Sequence, residues 1–131
     1  MPVADASVLA EWLGGGALHR EIAALFRREE GRWWAPHLVD AEVGHVLRRA
    51  THAGELTPTQ AGAALLDLAV LPITRAPHAP LLARAFELRD SLSFFDALYV
   101  ALAEQFTTPL ITLDARLARA AAPHIDVLVP G

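Results

Sequence analysis

The sequence predicts an α/β domain built on a parallel sheet, and three observations carry that expectation. Short apolar runs alternate with longer segments of helical period along the chain. No two extended runs are joined by a tight hairpin turn, so each return calls for a crossover. Two runs, Val3-Ala4 and Leu110-Ile111-Thr112-Leu113, lead directly into an acid, Asp5 and Asp114 respectively. In a parallel sheet both acids emerge at the carboxyl edge, where open α/β sheets bind ligands.

The chain from Met1 to Asp5 reads as a short strand, followed by a helix over 6–13 that Gly14-Gly15-Gly16 breaks. Asp at a strand-to-helix turn is an ordinary helix cap, so Asp5 has a plain reading beside a functional one. A second helix over 17–30 turns Leu18, Ile22, Leu25 and Phe26 inward and stops at Gly31. Trp33 to Pro36 is a brief extended segment. The third helix, 38–52, carries a buried stripe of Val39, Val43, Val46, Leu47 and Ala50 and closes at Gly54. Asp40 and Glu42 flank opposite edges of that stripe, and periodicity does not choose between them as a site residue. A helix over 58–68, a strand near 70–73 and a helix over 79–90 follow, the last presenting Leu82, Phe86 and Leu88. A helix starting at Ser93, a strand at 110–112, a helix over 115–122 and a strand at 126–129 complete the chain.

The helix from Ser93 to Glu104 is apolar almost all the way round, which marks it as buried. Asp96 is the anomaly within it. It lies beside Tyr99, Val100 and Ala103 at helical spacing, with no Arg three or four residues away to pair with it. Such a carboxylate must be protonated, well hydrogen-bonded or neutralised by a group outside the sequence, such as a metal ion. The competing reading is a capping box, with Ser93 as cap and Asp96 three positions on. Convergent acids without Cys or His suit hard cations with oxygen ligands, Mg²⁺ or Mn²⁺.

Composition bounds the function classes. A length of 131 residues fits one domain, 1–131, with a full core. Apolar residues make up 53% of the chain, yet no run approaches the roughly 18 uninterrupted apolar positions of a membrane span. No signal-peptide pattern is visible at the N-terminus, and with no Cys a cytoplasmic location is the expectation. All eleven basic residues are Arg, which excludes Schiff-base and P-loop lysine chemistry. The net charge of −4 is unusual for a nucleic-acid binder. Setting four site acids aside would leave the remaining acids balanced by Arg, although any four acids satisfy that sum. The three Trp sit among apolar segments rather than among Arg, so core or interface packing is the expectation for them.

Four stretches together resemble a known family. Val3-Ala4-Asp5-Ala6-Ser7-Val8-Leu9, Pro36-His37-Leu38-Val39-Asp40-Ala41-Glu42, Phe95-Asp96-Ala97-Leu98-Tyr99-Val100-Ala101-Leu102-Ala103-Glu104 and Leu110-Ile111-Thr112-Leu113-Asp114-Ala115-Arg116-Leu117 are similar, in order and spacing, to the PIN domain. More narrowly they look like the VapC toxin ribonucleases of toxin–antitoxin pairs. The resemblance implies a three-layer α/β/α fold with a short central parallel sheet and divalent-metal-dependent cleavage of RNA. Carried over position by position, the acidic site is Asp5, Glu42, Asp96 and Asp114, which selects Glu42 over Asp40. Ser7 and Thr112 match positions where the family often has a hydroxyl close to the metal. The residue three after the glutamate, often Asn in the family, is His45 here. The resemblance also implies Mg²⁺, with Mn²⁺ as a substitute, a VapB-like antitoxin partner and a homodimer. Rival readings are a PIN-fold RNA-processing nuclease without an antitoxin and a catalytically silent PIN-fold binding module. A small aspartate-phosphorylating receiver domain is a further rival, but it needs a late Lys that this chain lacks.

Overall fold

The computed structural model describes residues 1–131. Five short parallel strands, β1 (Val3–Ala4), β2 (Trp34–Pro36), β3 (Thr74–Ala76), β4 (Leu110–Ile111) and β5 (Val127–Leu128), form one sheet in the order β3-β2-β1-β4-β5. Val3 is in register with Trp34 on one side and Leu110 on the other, and Ala4 with Ile111. The chain therefore leaves β1 in one direction and returns to its opposite flank after β3. The boundary between β1 and β4 is the switch point at which such sheets open a crevice.

Seven helices connect and cover the strands: α1 (Ala6–Leu13), α2 (His19–Arg28), α3 (Leu38–His52), α4 (Pro58–Val70), α5 (Leu82–Glu87), α6 (Phe94–Phe106) and α7 (Ala115–Ala121). Helix α1 packs on α2, α3 and α4, whereas α6 packs on β1, β2, β4 and α5. Right-handed crossovers place the helices between β1 and β3 on one face. The reversal of direction after β3 puts α5 and α6 on the other, giving an α/β/α sandwich. Every residue of α6 from Ala97 to Ala103 is buried, as its unbroken apolar surface requires. None of the helices is long and apolar enough to cross a membrane.

Helix α3 has the limits that periodicity implies, and Val39, Val43 and Leu47 are its buried stripe, while Val46 is exposed. Trp33 is fully buried, with Trp12 and Phe26 packed against it at 6.0 and 5.2 Å between ring centroids. Two expectations need correcting. The third strand lies at Thr74–Ala76 rather than near 70–73, because α4 continues through Val70. Pro72 then forces Leu71 into an extended conformation, φ −63 and ψ 126, and the chain reaches the sheet edge only after it. The fifth helix is shorter than expected and turned by one position. Leu81, Ala85, Leu88 and Leu92 face the core, while Leu82 and Phe86 are exposed. Two apolar stripes run side by side there, and the docking of α5 on α6 decides which one is covered.

Candidate active site

Asp5 and Asp114 each leave a strand and cap the next helix. Oδ1 of Asp5 accepts the Val8 N–H at 3.2 Å. Oδ1 of Asp114 accepts those of Arg116 and Leu117 at 2.9 and 3.2 Å, so the cap engages Oδ1 and not Oδ2. The cap reading and the site reading therefore coexist. Because β1 and β4 are neighbours, the residues just past their ends meet. Thr112 Oγ1 donates to Asp5 Oδ2 at 2.5 Å, and Ser7 Oγ donates to Asp5 Oδ1 at 2.6 Å. The hydroxyls are themselves oriented by backbone: Leu113 N–H donates to Ser7 Oγ at 2.9 Å and Asp114 N–H to Thr112 Oγ1 at 3.0 Å. Each hydroxyl accepts from the main chain and directs its proton at Asp5. Burial nevertheless pushes the Asp5 carboxyl up to about 6, against the pull of these three hydrogen bonds.

Asp96 arrives from the opposite face, in the first turn of α6. Ser93 Oγ accepts the Asp96 N–H at 3.2 Å, so Ser93 caps the helix. The Asp96 carboxylate does not reach back to complete a capping box; it turns into the cleft and meets Arg116 of α7 at 3.3 Å. The same guanidinium lies 3.8 Å from Asp114 Oδ2. Glu42 approaches from α3, and Tyr99 Oη donates to its Oε1 at 2.6 Å. Burial raises the Glu42 carboxyl, offset by the Tyr99 bond, with Asp96 raising it further and His45 lowering it. A cleft of about 870 Å³ is lined by all four acids, with Ser7, His45, Tyr99 and Arg116.

Asp40, the alternative to Glu42 on the helical wheel, is engaged elsewhere. Arg75 Nε donates to both its oxygens, at 3.0 and 2.8 Å, and the same guanidinium holds the Leu71 and Leu68 carbonyls at the end of α4. Asp40 does not line the cleft.

Compared with known families, residues 3–123 match the PIN domain. The chain belongs to the PIN-domain family. Among curated relatives, this PIN domain is 45% identical over 120 residues to "Ribonuclease VapC1" of Mycobacterium tuberculosis (strain ATCC 25618 / H37Rv), spanning 90% of this chain and 89% of that one. It is 42% identical over 118 residues to "Ribonuclease VapC3" of the same strain, spanning 90% and 85%. The crystal structure of PAE2754 from Pyrobaculum aerophilum superimposes with a TM-score of 0.66 at 26% identity, covering 95% of this chain and 88% of that one.

The donor chemistry of this PIN domain fits a hard divalent cation, since the cleft offers carboxylate oxygens and no thiolate. A nearly buried Asp5 whose ionisation burial opposes is what a bound cation would relieve. As the side chains stand, no three Asp, Glu or His close around a common point. Each of three acids has a partner of its own. Asp5 is held by Ser7 and Thr112, Glu42 by Tyr99 and Asp96 by Arg116. Sequence reasoning assigned no role to two cleft residues. Tyr99 sits three positions after Asp96 on α6, a spacing that signals a shared face. Arg116 is two after Asp114, a spacing that signals nothing by itself.

Proposed function

We propose that this PIN domain is a VapC-type endoribonuclease, dependent on a divalent cation and held inactive by a VapB-type antitoxin. The observation that carries the reading is the arrival of Asp5, Glu42, Asp96 and Asp114 in one cleft at the switch point of the sheet. The ribonuclease names of relatives at 42–45% identity support the substrate class. Asp5, Asp96 and Asp114, joined by Glu42, would hold the cation, Mg²⁺ by preference with Mn²⁺ as a substitute. A cation there supplies a water of lowered pKa and positive charge against the scissile phosphate.

The protein's own part is positioning. Ser7, Thr112 and the Val8 N–H fix Asp5 so that it enters the reaction already oriented. Asp114 spends Oδ1 on the α7 cap and keeps Oδ2 for the cleft. Arg116 lies against both Asp96 and Asp114, and with a cation held by those acids its guanidinium would be free to pair with an RNA phosphate. The antitoxin would exploit the same acids, and a basic side chain inserted among them gains charge-assisted hydrogen bonds. The exposed Phe86 and Phe94 offer apolar surface for a homodimer.

Incubation of the purified chain with total RNA, followed by mapping of the new ends, tests the proposal. Cleavage should appear with Mg²⁺ or Mn²⁺, vanish in EDTA and return when the ion is restored. A co-expressed cognate antitoxin should suppress it. Cleavage that persists in EDTA refutes the metal-dependent reading. A nuclease that is active yet harmless in the cell, with no small co-purifying protein, refutes the toxin assignment.

A further inference from the structure

Tyr99 is the only tyrosine in the chain, and its ring is buried in the core while its hydroxyl enters the acidic cleft. The hydroxyl lies among the charges of Glu42, Asp5 and Asp96, yet it donates to one of them alone, Glu42 Oε1 at 2.6 Å. Glu42 comes from α3 and Tyr99 from α6, so this bond spans the cleft between two elements far apart in sequence. Asp96 and Tyr99 are one turn apart on α6. The rigid core helix thus sets one carboxylate directly and a second through the phenol.

We propose that Tyr99 is a positioning residue for the metal site, holding the Glu42 carboxylate through Oε1 so that it is already oriented in the cleft for a cation. This rests on the reading of the four acids as a metal site, and it gives Glu42 a defined place in it. Three features carry it. The ring is locked by packing, so the hydroxyl has one place to go. The only proton Tyr99 can give goes to Glu42, which fixes the direction of that carboxylate and leaves lone pairs on both oxygens for a cation. Glu42 lies on the α3 surface, only partly buried, and no other side chain donates to it, so without the phenol its rotamers would be free. A tyrosine serving the fold alone would need any buried partner; this one is aimed at a residue of the cleft.

The test uses Tyr99→Phe, which keeps the ring and its volume and removes only the oxygen. Mn²⁺ binding to the EDTA-stripped protein is measured by calorimetry for wild type, Tyr99→Phe and Asp96→Asn. The expected result is about tenfold weaker binding in Tyr99→Phe, as for other partners that orient a metal ligand. A single ¹³Cζ label in the wild type should shift on Mg²⁺ titration and saturate with the ion, because the cation draws charge from the carboxylate that accepts the phenol proton. At saturating metal, kcat for RNA should recover more than affinity does. Unchanged or tighter Mn²⁺ binding in Tyr99→Phe, with Asp96→Asn impaired, overturns the role of Tyr99 and leaves the metal site standing. Unchanged binding in Asp96→Asn as well overturns the metal site, and the role of Tyr99 with it.

Discussion

Thr112 Oγ1 donates to Asp5 Oδ2 at 2.5 Å while accepting the N–H of Asp114, so one hydroxyl links two of the acids across the junction of β1 and β4. Thr112→Val keeps the shape and removes the link, leaving the Asp114 N–H without its acceptor. The expected loss is about 1–3 kcal/mol of stability, measured by denaturant unfolding. Thr112→Ser should restore most of it, because Ser supplies the same donor and acceptor.

The stability of the metal-free protein should fall as pH rises from the unfolded value of Asp5, near 3.8, to its folded value of about 6. Across that interval the folded state keeps a proton that the unfolded chain has released, so deprotonation favours unfolding. Glu42, also raised by burial, adds to the trend. Glu104 acts in the opposite sense: Arg84 holds its carboxyl below the usual range, so its contribution disappears as pH falls through the folded pKa. Urea midpoints in EDTA should therefore be higher at about pH 5 than at about pH 7.5, and Asp5→Asn should flatten the difference. Saturating Mg²⁺ should flatten it too, since the cation favours the ionised carboxylate.

Arg116 lies against Asp96 and Asp114 with its side chain 70% exposed. Its pairing is worth little in solvent, but its charge competes with an incoming cation. Arg116→Ala should lower the melting temperature in EDTA slightly and enlarge the rise produced by Mg²⁺. The same variant should bind uncleaved RNA less tightly and with a shallower salt dependence. A smaller Mg²⁺ response than wild type would count against the competition.

Asp40 and Glu42, two positions apart, should respond in opposite ways. Asp40→Asn weakens the Arg75 pair and should cost up to about 1 kcal/mol of stability while leaving cleavage intact. Glu42→Gln should leave the melting temperature near wild type, or raise it, and impair cleavage. Paired melting and cleavage measurements on the two variants separate the roles.

The legibility of these features in the sequence follows the range of the interactions. Asp5 and Asp114 were exposed by their place after short apolar runs, which is local information. Asp96 was conspicuous because its helix is otherwise apolar. Its counter-ion was not, since Arg116 lies twenty residues on and meets it only after β4 and α7 are in place. The helical wheel left Asp40 and Glu42 equivalent for the same reason: Arg75, which engages Asp40, arrives from β3. Tyr99 read as core, correctly for its ring, and nothing local showed where its hydroxyl would end. The displaced third strand was written in Pro72, whose effect on Leu71 was outweighed by the apolar run around it.

The central claim is that the four acids form a metal site, and the rise in melting temperature produced by Mg²⁺ tests it most directly. Wild type and Asp96→Asn are melted in EDTA and in Mg²⁺. A ligand bound only by the folded state stabilises it by mass action, so the wild type should melt higher in Mg²⁺. Asp96→Asn retains Ser93 as cap, and the repulsion from Glu42 that it relieves offsets the exposed Arg116 pair that it loses, so in EDTA it should melt close to the wild type and gain little from the ion. If Asp96→Asn instead loses about 0.5–1 kcal/mol equally with and without Mg²⁺, Asp96 is a helix-terminus acid and the metal site is contradicted.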